Sequence, residues 1–293
     1  MQIIEELESQ LARPSRMYQG YLFDLDGTVY LGKELLPGAL ALVATLRDRG
    51  SKVMFLTNNP TRDPQMYLDK LNGLGIPTAP DELLNTVMTM RSWLLEHAAD
   101  KKIFVIGEQP LISALEDAGL SLSEDPREID VVVASYDRTF EYRKLQIAFD
   151  AIWFYKRAIL IETNPDRFCP FPGGRGEPDC ASITAAIEAC TRTTCVKSLG
   201  KPDPIMLQVT MAGLDAKVEH SMMVGDRLQT DIRMALDTGM VSGLVLTGEA
   251  TADDVRALTE EHLPSYVMDR VDRLIPASTW DELGWTEDNW ADN

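Results

Sequence analysis

The hydrophobic positions of the chain occur in short runs that alternate with segments of helical periodicity. The first series consists of YLFDL (21–25), LPGALALVATLRDRG (36–50) and KVMFLTNN (52–59). It predicts a β–α–β unit, and Gly50 lies where a helix C-cap is expected. The scheme is repeated near the other end by SMMVGD (221–226), TDIRMALDTGM (230–240) and SGLVLTG (242–248). The pattern therefore predicts an α/β fold built on a parallel sheet.

A second series of the same kind lies in the middle of the chain. It consists of KIFVIGE (102–108), LISALEDAGL (111–120), DVVVASYD (130–137), YRKLQIAFDAIWF (142–154) and AILIETNPD (158–166). Since 293 residues exceed the size at which one hydrophobic core usually keeps growing, two domains are expected. We predict an inserted α/β domain at 99–194 within a core domain formed by 1–98 and 195–293. In the insert, CPFPGGRGEPDC (169–180) is predicted to be a long functional loop.

The composition narrows the range of partners. A formal net charge of −18 argues against non-specific binding to nucleic acid or to an anionic membrane surface. The N-terminal sequence MQIIEELESQLARPSR has no apolar signal-peptide core, and no apolar run approaches the roughly 18 residues of a membrane span. These features predict a cytoplasmic protein with no membrane partner. The four cysteines lie late in the chain without a CxxC pair, which favours reduced thiols over a zinc site.

Four polar motifs contain the candidate chemistry, and three of them follow predicted strands. They are Asp24 with Asp26, Thr57 with Asn58 and Asn59, Lys201 in SLGKPDP, and Asp226 after MMVG. Ligand sites in doubly wound sheets lie at the carboxyl ends of the strands. Three carboxylates there can bind Mg²⁺, and one carboxylate can attack phosphorus to form an aspartyl-phosphate.

The remaining groups suit the same reaction. A second carboxylate can protonate the leaving alcohol and then deprotonate water. Thr, Asn and Lys side chains can hold phosphoryl oxygens while the charge is redistributed. Each motif alone could be an ordinary turn or helix cap. The four motifs in this order favour phosphoryl transfer.

The longer motifs resemble one family. Between about residues 20 and 275 the chain is similar to haloacid dehalogenase-like (HAD) phosphatases of subfamily IIA, the NagD-like branch with 4-nitrophenyl-phosphatases and pyridoxal-phosphate phosphatases. The matching stretches are LPGALALVATLRDRG, TNNPTR, VIGEQPL, VVVASYDRTFEYRKL, ETNPD, GKPDP, VGDRLQTDI and YVMD. The resemblance implies a Rossmann-like, doubly wound parallel-sheet core with a C2-type cap inserted between the second and third motifs.

The resemblance implies a role for each acidic residue. Asp24 would be the nucleophile and a Mg²⁺ ligand. Asp26 would be the general acid and base, and would bind Mg²⁺ through its backbone carbonyl. Asp226 would be the other protein ligand of the metal, and Asp231 would support the metal site from behind its ligands. The family's dehalogenases lack a carboxylate at the position of Asp26, so dehalogenation is not expected.

Phosphate binding and substrate choice are implied in the same way. Thr57 and Asn58 would hold the phosphate, with Asn59 near the substrate. Lys201 would neutralise the nucleophile and the phosphate. The family determines its substrate in the cap segment after TNPD, where the candidate residues are Asn164, Asp166, Arg167, Cys169 and Arg175. Many relatives have P-G-x-G-[SA] before the last cap helix where this chain has PDCAS (178–182), which predicts a changed backbone path.

A small phosphorylated metabolite is the expected substrate, within a range of sugar phosphates, nucleoside monophosphates, glycerol phosphates, phosphoglycolate and pyridoxal phosphate. Two alternatives stay open. A phosphomutase or phosphotransferase would pass the phosphoryl group to a second substrate instead of water. A receiver-like phosphorylation switch has similar groups, although Asp26 and the large insert favour an enzyme. Relatives that dimerise through the cap leave a homodimer as a candidate assembly.

Overall fold

The computed structural model describes residues 13–171, 175–214 and 216–287. Most of the N-terminal segment behind the prediction of a cytoplasmic protein lies outside them. The strands are β1 (Gly20–Asp24), β2 (Tyr30–Leu31), β3 (Glu34–Leu35), β4 (Lys52–Thr57), β5 (Leu83–Asn85), β6 (Lys102–Ile106), β7 (Ser121–Leu122), β8 (Val131–Ala134), β9 (Ile159–Glu162), β10 (Phe168–Phe171), β11 (Arg175–Pro178), β12 (Lys197–Ser198), β13 (Ser221–Gly225), β14 (Val241–Val245) and β15 (Tyr266–Met268).

Helices connect most of these strands. The α-helices are α1 (Ala39–Asp48), α2 (Pro64–Gly73), α3 (Thr86–His97), α4 (Gln109–Asp117), α5 (Tyr142–Phe149), α6 (Cys180–Thr191), α7 (Pro204–Leu214), α8 (Arg233–Thr238), α9 (Ala252–Arg256) and α10 (Ala277–Leu283). Short π-helical segments, Asp150–Phe154 and Leu228–Ile232, follow α5 and precede α8. Short 3₁₀ turns occur at Pro80–Glu82, Val218–His220, Glu260–His262 and Val271–Leu274.

The described residues form two compact units. The first unit draws on 1–56, 69–83 and 207–293, and the second on 57–68 and 84–206. This division places 57–68, 84–98 and 195–206 in the second unit, whereas the sequence predicts them in the core domain. The predicted domain limits stay a prediction.

In the first unit the strands β15, β14, β13, β1 and β4 follow one another in this order in one sheet. Strand β1 is parallel to both of its neighbours, β13 and β4. Every residue of β1 and β13 is buried, as is typical of a parallel sheet covered on both faces. Phe23 pairs with Val224 and Asp24 pairs with Leu56, so the carboxyl ends of these three strands are in register. Helix α1 ends before Gly50, which has a φ of 82°. The predicted β–α–β unit is therefore confirmed.

The second unit contains a parallel sheet with the strand order β12-β9-β8-β6-β7. Strand β6 shows how both faces are covered, because successive side chains of a strand point to opposite sides. Ile103 and Val105 pack with residues of α3 and α4, whereas Phe104 and Ile106 pack with residues of α5 and α6. The βαβαβ pattern predicted for the middle of the chain is present, and the predicted α/β parallel-sheet fold is confirmed.

The predicted long loop at 169–180 is wrong for most of its length. Strands β10 and β11 form an antiparallel hairpin, in which Phe168 pairs with Pro178 and Cys169 with Glu177. The residues between them, 172–174, lie outside the described residues. Their sequence, Pro-Gly-Gly, is typical of a turn between two short extended runs, and this is the signal of a hairpin.

Membrane-spanning helices were also not expected. In the described part of the chain, no helix has both the length and the apolar character that crossing a bilayer requires.

Candidate active site

Three buried carboxylates converge in the first unit. Asp24 ends β1, Asp226 follows β13, and Asp231 lies in the π-helical segment after it. One carboxylate oxygen from each lies within 4.8 Å of the others. Asp24 and Asp226 meet because β1 and β13 are parallel neighbours whose carboxyl ends are in register. The structure thus brings together three of the acidic residues that the sequence singled out.

The carboxylate of Asp226 is fully buried but only partly hydrogen-bonded. Its side chain is fully buried, and its Oδ2 accepts a hydrogen bond from the Glu249 N–H at 2.7 Å. Its Oδ1 is also buried and accepts no hydrogen bond from a described residue. Burial, reinforced by the charges of Asp24 and Asp231, raises the pKa of Asp226 well above its usual value. A buried carboxylate with an unsatisfied oxygen is costly unless a cation compensates it.

A divalent metal ion fits this donor set. Mg²⁺ prefers oxygen ligands and is usually held by one or two carboxylates together with substrate phosphate and water. Three carboxylates with oxygens this close repel, and a hard cation between them would offset that repulsion and satisfy Asp226 Oδ1.

Two glycines make room for the Asp226 carboxylate. A Cβ on Gly27 would lie 2.5 Å from Asp226 Oδ2, and a Cβ on Gly248 would overlap the same oxygen. Gly27 also has a φ of 94°, a conformation that disfavours any side chain. Gly27, which follows Asp26, is therefore needed both for the turn and for the close approach of Asp226.

Asp26 occupies a different environment from Asp24. It is half-buried and is not a member of the three-carboxylate group. The turn that contains it is closed by a hydrogen bond from the Gly27 N–H to the Tyr30 carbonyl oxygen at 2.8 Å. Thr247 Oγ1 also donates to the Gly27 carbonyl oxygen at 2.6 Å. The two aspartates of the motif are thus separated into a buried, multiply charged site and a half-buried turn.

In the second unit, Asn58 holds the backbone of Lys201. Asn58 Nδ2 donates to the Lys201 carbonyl oxygen at 3.0 Å, and Asn58 Oδ1 accepts from the Lys201 N–H at 2.7 Å. The Lys201 side chain is almost completely buried. Thr86 Oγ1 donates to the Asn58 carbonyl oxygen at 2.8 Å and fixes Asn58 itself. Two motifs separated by 143 residues are therefore joined by a pair of buried hydrogen bonds.

The loop that contains Asn58 and Asn59 forms hydrogen bonds to two of the candidate specificity residues. Asn58 Nδ2 also contacts Asp166 Oδ1 at 3.3 Å, and Asn59 Nδ2 donates to Cys169 Sγ at 3.8 Å. Thr57 Oγ1 accepts from the Asn59 N–H at 3.2 Å, so the loop also has an internal bond. Of the predicted residues, Asn58, Asn59, Lys201, Asp166 and Cys169 are brought into one network.

The remaining predicted cap residues behave differently. Asn164 is buried and donates from Nδ2 to Asp179 Oδ1 at 3.0 Å. Asp179 in turn accepts from the Cys180 N–H and caps the start of α6. The PDCAS sequence thus supplies a helix cap, and the changed backbone path stays a prediction. Arg167 and Arg175 are exposed and form no ion pair with a described residue.

Tyr136 and Glu177 form one pair of side chains in this region that the sequence patterns did not identify. Tyr136 Oη donates to Glu177 Oε2 at 2.5 Å, and the tyrosine ring is almost completely buried. Burial and the hydrogen bond to Glu177 raise the pKa of Tyr136, so it stays a protonated donor. Tyr136 follows the carboxyl end of β8, and the strand-end argument used for Asp24 would have identified it.

The chain is similar to two family models of hydrolases and to several known phosphatases. A model of haloacid dehalogenase-like hydrolases matches residues 21–121, and a second HAD-hydrolase-like model matches residues 198–274. The sugar-phosphatase AraL of Bacillus subtilis is 35% identical over 252 residues, which are 86% of this chain and 90% of AraL. The 5'-nucleotidase YutF of the same organism is 33% identical over 261 residues, 89% of this chain and 99% of YutF.

Solved structures give the same result. A 4-nitrophenylphosphatase from Thermotoga maritima superposes with a TM-score of 0.80 at 34% identity, over 88% of this chain and 96% of that one. NagD from Escherichia coli superposes with a TM-score of 0.76 at 26% identity, over 88% of this chain and 98% of NagD.

Proposed function

The chain belongs to the haloacid dehalogenase-like hydrolases, in their NagD-like branch, and is a phosphoric monoester hydrolase; on that premise we propose a Mg²⁺-dependent phosphatase that acts on a small metabolite through an aspartyl-phosphate on Asp24. The observation that supports this most strongly is the group of three buried carboxylates with an unsatisfied oxygen on Asp226. Such a group suits a hard divalent cation, and a cation bound there can in turn bind a phosphate ester.

The acidic residues have different roles in the reaction. Asp24 and Asp226 would bind the metal through their carboxylates, and Asp26 would bind it through its backbone carbonyl. Asp231 would support these ligands without binding the metal itself. The bound ion would neutralise charge on the phosphoryl oxygens. A carboxylate oxygen of Asp24 attacks phosphorus, and the bond between phosphorus and the ester oxygen breaks as Asp26 gives that oxygen its proton.

The second half of the reaction restores the enzyme. Asp26 takes a proton from water, and the water oxygen attacks the phosphorus of the aspartyl-phosphate. The bond between phosphorus and Asp24 breaks, which releases inorganic phosphate and the free carboxylate. Asp24 must be ionised and Asp26 protonated at the start, and a cation bound by the Asp24 carboxylate would favour its charged form.

Residues of the second unit would bind the phosphoryl group. We assign the Thr57 hydroxyl and the Lys201 ammonium to its oxygens, as donors that stabilise the developing charge. The side-chain bonds of Asn58 to the Lys201 backbone give that asparagine a positioning role in addition. Asn59 would lie near the substrate.

The substrate class is proposed from the relatives. The names sugar-phosphatase, acid sugar phosphatase and 5'-nucleotidase describe those proteins, and they favour a sugar phosphate or nucleotide here. Of the two classes, a sugar phosphate is our first candidate.

The proposal is tested by replacing the nucleophile. We expect Asp24→Asn to lower the release of phosphate from 4-nitrophenyl phosphate by at least about a thousandfold with an unchanged circular dichroism spectrum. The matched control is Asp48→Asn, an exposed aspartate on α1, which should keep full activity. EDTA should abolish the wild-type activity and Mg²⁺ should restore it. Residual turnover of more than a few per cent in Asp24→Asn, or an EDTA-resistant enzyme, would refute the mechanism.

A further inference from the structure

The β10–β11 hairpin presents one face with an acidic side chain. Cys169 and Glu177 are directly opposed across the two antiparallel strands, so their side chains lie on the same face. Phe168 and Pro178 form the next opposed pair, on the other face. The contacts of Cys169 therefore indicate which part of the second unit this face of the hairpin approaches.

On this face, Cys169 contacts the loop assigned to phosphate binding. Asn59 Nδ2 donates to Cys169 Sγ at 3.8 Å, and Asn58, which holds the Lys201 backbone, contacts Asp166 just before the hairpin. All of these residues belong to the second unit. Glu177 is thus one strand away from a residue that touches the phosphate-binding loop, where the alcohol part of a bound ester is expected.

One oxygen of the Glu177 carboxylate is hydrogen-bonded by Tyr136, and the other is not hydrogen-bonded by a described residue. Its Oε2 accepts the hydrogen bond from buried Tyr136, whereas its Oε1 accepts none from a described residue. Glu177 is half-buried. Its orientation is therefore fixed by one bond, while a second oxygen remains able to accept a hydrogen bond.

Two cations of the second unit, Arg138 and Lys144, are bound by carboxylates other than Glu177. Arg138, whose guanidinium lies 5.7 Å from the Tyr136 ring centre, is bound by the two oxygens of Glu108 at 2.6 and 2.7 Å. Lys144 is bound by Asp137 at 2.5 Å. Neither Arg138 nor Lys144 forms an ion pair with Glu177 among the described residues. Arg175, two residues before Glu177 on β11 and on the same face, is exposed. A ligand carboxylate placed at Glu177 Oε1 would be repelled by the charge of Glu177 itself.

We propose that Glu177, oriented by Tyr136, selects the alcohol part of the substrate by accepting hydrogen bonds from its hydroxyl groups, so that esters of neutral polyols or sugars are preferred to esters that contain a carboxylate. The inference rests on the proposed function and deepens it, since it names the chemistry of the leaving group. A hydrogen bond to a charged acceptor accounts for roughly a tenfold or larger preference.

A matched pair of substrates tests the proposal. Glycerol 3-phosphate and 3-phosphoglycerate have the same carbon chain and differ in a hydroxymethyl group against a carboxylate. We expect the wild type to favour glycerol 3-phosphate at least tenfold in kcat/KM. Glu177→Gln should reduce that preference at least fivefold, and Tyr136→Phe should raise KM for glycerol 3-phosphate with little change in kcat. Glu116→Gln, an exposed glutamate on α4, is the control and should change nothing.

Turnover of 4-nitrophenyl phosphate, whose leaving group has no hydroxyl that can donate to Glu177, is the reference, and it should fall less in Glu177→Gln than turnover of glycerol 3-phosphate does. An unchanged substrate preference in Glu177→Gln, or an equal loss on all three substrates, would overturn the proposal. Calorimetric binding of the same two esters to the Asp24→Asn protein separates this inference from the proposed function. A tenfold difference in Kd that disappears with Glu177→Gln supports selection by Glu177 even if no ester is hydrolysed, and equal Kd values overturn it.

Discussion

Replacing Gly248 by alanine probes the packing of the acidic site with a single methyl group. The new Cβ would overlap Asp226 Oδ2 and would lie 2.5 Å from Cγ and 2.7 Å from Cβ of the same residue. The φ of Gly248 is outside the left-handed region, so alanine adds no backbone strain there. Its effect is therefore confined to the displacement of Asp226 or of the segment that contains residue 248.

The size of the effect follows from what must move. Overpacking of a buried site typically costs about 1–3 kcal/mol. If the carboxylate moves, it also weakens the 2.7 Å bond from the Glu249 N–H, and a hydrogen bond to a charged group contributes about 1.5–3 kcal/mol. We expect Gly248→Ala to lower the free energy of unfolding of the metal-free protein by roughly 2–4 kcal/mol. A displacement of about 1 Å at a reacting site costs on the order of a hundredfold in rate.

The assay combines urea unfolding without metal and a Mg²⁺ titration of 4-nitrophenyl phosphate hydrolysis. We expect the Mg²⁺ concentration at half-maximal activity to rise at least tenfold in Gly248→Ala. The control is Gly73→Ala at the end of α2, where a Cβ meets no atom within 4 Å and the φ is ordinary. It should be neutral or stabilising by up to about 1 kcal/mol. A Gly248→Ala protein with wild-type Mg²⁺ dependence would refute the close packing of Asp226 as a requirement of the site.

Two further substitutions test the remaining assignments. Asp26→Asn should slow the single-turnover release of glycerol from glycerol 3-phosphate far more than that of nitrophenolate from 4-nitrophenyl phosphate, because nitrophenolate leaves without a proton; equal losses would exclude Asp26 as the acid. Asn58→Ala removes both side-chain bonds to the buried Lys201 backbone and should lower the free energy of unfolding by roughly 2–4 kcal/mol in urea titrations, and an unchanged midpoint would contradict the positioning role.

The acidic site follows from local features of the sequence. Short apolar runs at 21–25 and 221–226 predict neighbouring parallel strands, and polar residues at their ends are then close in space. The pattern therefore identified Asp24 and Asp226 without knowledge of any long-range contact. What it could not supply is the packing of Gly248, because a glycine that makes room for a carboxylate is indistinguishable in sequence from one in an ordinary turn.

The hairpin was missed for a related reason. Proline and glycine in CPFPGGRGEPDC indicated a loop, but the same residues are common in turns between short strands. Only the pairing of Cys169 with Glu177 shows that the residues on either side are extended and opposed. Glu177 was therefore not recognised as a candidate, although its neighbours in the hairpin were.

The network in the second unit joins residues that are distant in sequence. Asn58 contacts Asp166 across 108 positions and Lys201 across 143, and Asn59 contacts Cys169 across 110. Periodicity and turn rules relate residues that are close in sequence. They therefore cannot predict which side chains form hydrogen bonds between two loops that are distant in sequence. These contacts matter for the proposed function, because the two adjacent asparagines form hydrogen bonds to different partners. Asn58 holds the lysine that we assign to phosphate and Asn59 contacts the hairpin that we assign to the alcohol, so the two proposed functions depend on different side-chain contacts.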